Sequence, residues 1–474
     1  SSKLDVLLSP CIIFALEKEN CIMKKKIDLS RDKIDFGKGK IGPLFRALFF
    51  PTLIGMIFMS LQTVIDGIFV GRGVGADGIA AVNIVAPLWM VVTGLGLMFG
   101  IGASVIGSLH LAEKNVKAAR IILTQAFGVG FVIMVVLSLY CLCFPKAVVY
   151  SLGCSQRLEP FALDYLLWLL PGMVFLFWQC VGLMLVRLDG SPRYAMWIQV
   201  LSALVNIVLD WIFIFPLGMG VKGAAIATAI ACIVGGLMAL VYFLGFSAKL
   251  KFYRLKMSRT SACLTMRNVG NMAKIGSATF LTEIAMSVTV LAGNYMFMSM
   301  LHEDGVAAYA VVCYLFPVIF SVNNAVAQSA QPIISYNYGA HQMERVSQTL
   351  RMSVLTAVTC GLLVMLMLIV GDETIVGMFL QPQEKAHQLA VEGLPWFSTC
   401  SVFFALNVVF VGYYQSLTNA GKAMAFTCLR GIVLTVAGFA VLPLLLGTIG
   451  LWLAIPAAEL LTLAVIAVAA KFLF

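Results

Sequence analysis

Two aspartates, Asp66 and Asp210, stand inside long apolar stretches, in Leu61-Gln-Thr-Val-Ile-Asp66-Gly and in Asn206-Ile-Val-Leu-Asp210-Trp. A carboxylate at bilayer depth costs roughly 2.5–3.5 kcal/mol by insertion scales, so such a residue faces the protein interior and meets a cation or a proton there. Asn206 precedes Asp210 by one helical turn and shares its face. Thr228 lies at a comparable depth in the next apolar stretch. Two carboxyls, an amide oxygen and a hydroxyl form an all-oxygen set suited to a shared proton or to Na⁺ as the bound metal ion. Two like charges held close favour retention of one proton. The plainer alternative is that Asp210 only hydrogen-bonds its helix to the next one.

The elements that must position these groups are membrane helices. Of the 474 residues, 61% are hydrophobic and 11% charged, against about 25% charged in soluble domains. Apolar runs long enough to cross a ~30 Å hydrocarbon core recur along nearly the whole chain. Twelve spans are expected at about 44–70, 79–107, 121–143, 161–186, 196–215, 223–246, 275–300, 306–332, 352–370, 393–416, 425–446 and 450–470. With the N-terminus inside, 27 Lys and Arg fall at inner positions and 5 at outer ones, counting Arg187 and Arg430 as inner. The positive-inside rule then places both termini in the cytoplasm, and the net charge of +10 reports topology, not a nucleic-acid partner. On that frame Asp66, Asp210 and Thr228 each lie roughly 7–8 Å below the outer ends of their helices.

The chain repeats at an offset of 227 residues. Asp77-Gly-Ile-Ala-Ala81 recurs as Asp304-Gly-Val-Ala-Ala308, and Pro216, Gly220 and Gly223 recur as Pro443, Gly447 and Gly450. Both halves begin on the inner side, so the fold class is an all-α polytopic membrane protein of two six-helix bundles related by pseudo-two-fold symmetry. The expected domains are a cytoplasmic segment 1–43, an N-lobe 44–246, a basic linker 247–274 and a C-lobe 275–474. Residues 1–22, which precede Met23-Lys-Lys-Lys, are read as an upstream extension. The ionisable residues break the repeat: Asp66 aligns with Gly293, Asn206 with Val433, Asp210 with Ala437 and Thr228 with Ile455. Scaffold is shared between the lobes, and the carboxylate pair belongs to the N-lobe alone.

A second polar group marks a candidate substrate cavity. Glu283 lies about eight residues into span seven, and Asn294 follows about three turns later. Asn324, Gln328 and Gln331 form one stripe of span eight. Gln62 sits one turn below Asp66, and Gln179 lies within span four. Each amide alone could equally bond neighbouring helices. Glu459 is a candidate partner of Arg430, although their depths match poorly. Pro51 inside span one favours a kink, and glycines cluster in span two, where helices can approach closely. The 12 Cys are scattered as small apolar residues, and all 4 His lie in or beside connections. A buried His relay, a HExxH and a GxSG-type turn are absent from the sequence, which argues against an enzyme.

With these features the chain resembles the multidrug and toxic compound extrusion (MATE) family over residues 42 to 470. The resemblance rests on Pro51 through Asp66-Gly67, Asn206-x-x-x-Asp210, Gly223-Ala-Ala-Ile-Ala-Thr228, Glu283, Gln331-Pro332 through Gly339-Ala340, and Gly450-Leu-Trp452 to Glu459. It implies two bundles around a V-shaped cavity, and export of organic cations or amphipathic drugs by alternating access, driven by inward H⁺ or Na⁺. It implies no cofactor beyond the coupling ion, no nucleic-acid partner, a monomer, and a place in a bacterial inner membrane. By position Asp66, Asn206, Asp210 and Thr228 would form the cation site, and Glu283 the family's span-seven glutamate. The acidic residue that some branches carry in span ten is missing; only Asn407, or Asn419 just beyond, is available. The competing reading is a flippase for a lipid-linked saccharide, which would be expected to line its cavity with basic residues.

Overall fold

The computed structural model describes residues 34–255 and 258–471, so the expectation for residues 1–22 lies outside the described residues. Span one is Ile41–Gly73, a single helix that continues through Pro51. Spans two to six are Ala76–Ala112, Val116–Cys143, Glu159–Leu188, Pro192–Ile214 and Gly220–Val241. Spans seven and eight form one helical run, Arg259–Gly339, broken at His302, where φ is 55° and ψ is −147°. Span nine is Met343–Val370. Span ten consists of two helices, Lys385–Ser398 and Cys400–Ser416, bent by 43°. Span eleven runs through Ala420–Cys428, a π-helical turn at Leu429–Val433, and Leu434–Leu446. Span twelve is Thr448–Lys471. The twelve-helix fold is as expected, but span seven starts at Arg259 and not at 275. It takes much of the basic stretch into its first turns.

The internal repeat is built into the backbone. Positive-φ residues mark the helix boundaries at matching places: Gly75 and His302, Lys114 and His341, and Gly220 and Gly447, each pair 227 residues apart. The Asp that follows the first of these turns pairs with a base in both halves, Asp77 with Arg157 at 2.8 Å and Asp304 with Lys385 at 4.0 Å. Exposed pairs of this kind add little stability. Their recurrence shows that the two halves use one plan.

The lobes are not cleanly separated bundles. On the side of the membrane that carries the 247–258 linker, Phe45, Leu48 and Phe49 of span one pack among Ala325, Ile333 and Val409 of spans eight and ten. Met272 of span seven packs reciprocally in the N-lobe core. Gly102 and Gly276 make this possible, because a side chain at either would overlap backbone of the other helix, at Met272 and Met98 respectively. The segment before span one is tied across as well, since Arg345 donates to the carbonyls of Phe36 (2.9 Å) and Gly39 (2.8 Å).

Asp189 closes the linker end of the N-lobe. It accepts from the backbone N–H groups of Ala248, Lys249 and Leu250 and from the Tyr242 hydroxyl, at 2.7–2.9 Å. Other polar contacts between the lobes also gather in the linker-side half or near mid-depth. Ser104 donates to Gln331 Oε1 at 3.0 Å, Arg187 to Gln328 Oε1 at 2.6 Å, and Ser60 meets Ser321 at 2.6 Å. The halves are therefore held together on one side of the membrane.

Candidate functional site

Small residues bring the N-lobe site together. Gly55 of span one lies against Gln199 of span five, and Gly73 lies against Ile214, so the two helices run side by side and bring Asp66 alongside Asp210. Spans four and six touch through Gly172 against the Ala229 backbone and Gly236 against the Phe175 backbone. That contact carries Tyr165 to Thr228. Side chains at these notches would force the helices apart, because packed interiors leave no spare volume.

The result is one cluster. Asp210 and Asn206 are fully buried, at 0% exposure, and Thr228 and Tyr165 nearly so. The carboxyls of Asp66 and Asp210 lie within hydrogen-bonding reach of each other, and Asp210 is also within reach of the Asn206 amide. Asn206 Nδ2 donates to Thr228 Oγ1 at 3.3 Å, and Thr228 engages the Tyr165 hydroxyl. Neither Asp210 oxygen accepts a well-formed hydrogen bond from a protein donor, and one oxygen each of Asp66 and Asn206 is buried without a partner. Unpartnered buried acceptors are rare and costly. A proton or a cation between the carboxyls relieves part of that cost. Among the described residues no group of three or more His, Cys, Asp or Glu could hold a metal ion. All four residues expected from sequence come together here. Tyr165 was not expected: a tyrosine beside an apparently interfacial Asp164 carries no depth signal.

The residues expected to line a substrate cavity divide. Asn324, Gln328 and Gln331 line a cavity of about 50 Å³ between the lobes, with Ile101 and Met184 on its N-lobe wall. Glu283, Gln62, Gln179 and Asn294 do not line it. Gln179 is buried inside the N-lobe against Gly235, and Glu283 lies against Gly94 of span two. Gln62 has a buried unpartnered oxygen one turn from Asp66.

Two arginines that the charge count assigned to inner connections are instead buried, Arg187 at 1% and Arg430 at 6% exposure. Arg430 Nε pairs with Glu459 Oε1 at 3.3 Å, so the depth mismatch expected from sequence is not observed. The π-helical turn at Leu429–Val433 lies at Arg430. Its guanidinium carbon sits 4.4 Å from the Phe404 ring centroid. Asn407, the span-ten residue that stands where an acid was sought, donates to Glu459 Oε2 at 2.7 Å. The carboxylate of span twelve is thus already neutralised by an arginine.

A repeated helical fold with a facing carboxylate pair in one half and a cavity between the halves is the architecture of a polytopic membrane transporter. The MatE family model matches residues 51–212 and again 278–441, and the two matches begin 227 residues apart. The chain belongs to the MATE family. It is similar to the multidrug export protein MepA of Staphylococcus saprophyticus, 24% identical over 391 residues that cover 81% of this chain and 83% of that one. It is also similar to a FAD transporter of Shewanella oneidensis, 25% identical over 329 residues, 68% of this chain and 71% of that one. Among solved structures, an outward-facing multidrug resistance MATE transporter superposes with a TM-score of 0.84 at 21% identity, covering 90% of this chain and 94% of the other.

Proposed function

We propose that this protein is a secondary antiporter that exports amphipathic organic compounds against inward H⁺ or Na⁺. The observation that carries this reading is the facing pair Asp66, half-buried, and Asp210, fully buried with Asn206, the pair having no protein donors of its own. The cation binds from the side opposite the linker, where the lobes are not clasped. Binding satisfies the carboxyls, and the change in charge favours rearrangement of the lobes and release of the cation on the linker side. The excess of Lys and Arg on the linker side supports assigning that side, with both termini, to the cytoplasm of a bacterial inner membrane. The protein works as a monomer, each chain holding its own cation site and its own cavity between the lobes. The acidic character of the facing pair favours this reading over a flippase.

The test is dye efflux from proteoliposomes under separately imposed proton and sodium gradients, with wild type and Asp66→Asn. Efflux driven by one gradient in wild type and lost in the variant is expected. Efflux at the wild-type rate in Asp66→Asn would remove that carboxyl from the coupling step.

A further inference from the structure

The cavity between the lobes has a polarity that its sequence does not announce. Gln328 is buried and lines it. Arg187 donates to Gln328 Oε1 at 2.6 Å, which fixes the amide, since the opposite orientation would set N–H groups against N–H groups. The carbonyl is consumed, and Gln328 Nε2 is left as a donor without a partner. Arg187 itself has only neutral partners in Gln328, Gln199 and Met184, and no ion pair among the described residues involves it.

Arg430 lines the same cavity. Its carboxylate partner does not: Glu459 lines a separate, smaller cavity, with its oxygens already committed to Arg430 and Asn407. Glu283 is absent from the wall too. One guanidinium therefore lines the space, a second, Arg187, stands directly behind Gln328, and no carboxylate lines it. A buried cation without a counter-ion is costly, and an oxyanion held close by, on charge-assisted hydrogen bonds from Arg430, offsets that cost.

We propose that this cavity seats an oxyanion, a carboxylate or phosphate on an amphipathic organic substrate, against Arg430 and in the field of Arg187, with Phe320 and Val408 flanking the apolar body. The proposal rests on the transport reading above and departs from the expectation of cationic substrates.

Equilibrium binding to the full-length protein in detergent, with no gradient, tests it separately from coupling. The probes are three fluorescent congeners: 9-anthracenecarboxylate, its methyl ester, and (9-anthracenylmethyl)trimethylammonium. Wild type is expected to bind the carboxylate roughly tenfold or more tightly than either congener. Gln328→Glu gives Arg187 a counter-ion and places a negative charge in the cavity wall, and should abolish that preference. Asn324→Asp adds an acid to the same wall with less effect on packing, and should weaken carboxylate binding alone. A wild type that prefers the ammonium or the ester overturns the proposal, whether or not the variants fold. So does a carboxylate preference that survives both substitutions. Intact carboxylate binding with no gradient-driven efflux would overturn only the antiport reading.

Discussion

Replacing Asp210 by Asn is the sharpest perturbation of the coupling site. The two side chains are nearly isosteric, and the change removes a charge from bilayer depth, so insertion should not suffer. The two carboxyls lie within hydrogen-bonding reach. At ~4 Å and an effective dielectric of ~20, each contributes about 4 kcal/mol to the attraction of a cation held by the other. Since about 1.4 kcal/mol is tenfold in affinity, the coupling cation at Asp66 should bind on the order of 10³-fold more weakly in the variant. The assay is the initial rate of dye efflux from proteoliposomes as the driving cation is titrated on the side opposite the linker. The half-saturating concentration should rise by about that factor, with the saturated rate less affected. A double-mutant cycle with Asp66→Asn sharpens the test. Carboxyls that hold one ion give strongly non-additive losses, whereas additive losses would mean separate ions. An unchanged half-saturation in Asp210→Asn would refute the reasoning outright.

Three further outcomes follow from other contacts. Thr228→Val removes the acceptor for Asn206 Nδ2 and the partner of Tyr165; leaving a buried amide unsatisfied should cost about 1–3 kcal/mol, read as a lower unfolding midpoint together with weaker cation dependence of efflux. Ser60→Cys with Ser321→Cys replaces hydroxyls 2.6 Å apart on spans one and eight; oxidation should cross-link them and stop efflux, reductant should restore it, and full transport by the cross-linked protein would show that this contact does not open. His302 holds a conformation that glycine adopts at the matching turn, Gly75, so His302→Gly should stabilise the protein by about 1 kcal/mol, measured by thermal unfolding in detergent.

Much of this protein is local and therefore legible in its sequence. Apolar runs determine the spans, because a bilayer leaves no other way to satisfy backbone N–H and C=O groups. The 227-residue repeat determines two like halves, and the same positive-φ turns recur at Gly75 and His302. Asn206 and Asp210 are four apart on one helix, so their shared face follows from helix geometry alone. Asp66 was conspicuous because a charge in an apolar run needs a cause.

What only the tertiary structure decided involves residues brought together across helices from distant parts of the chain. Tyr165 joins Thr228 because glycines let spans four and six touch. Spans one and seven pack against the opposite lobes near the linker, a crossing that no hydropathy profile records. Arg187 and Arg430 read as ordinary charges at helix ends, yet both are buried, and Gln328, 141 residues from Arg187 in sequence, has its amide oriented by it. Burial and hydrogen-bond direction are properties of the packed neighbours of a side chain, and the chain order of those neighbours carries no trace of them.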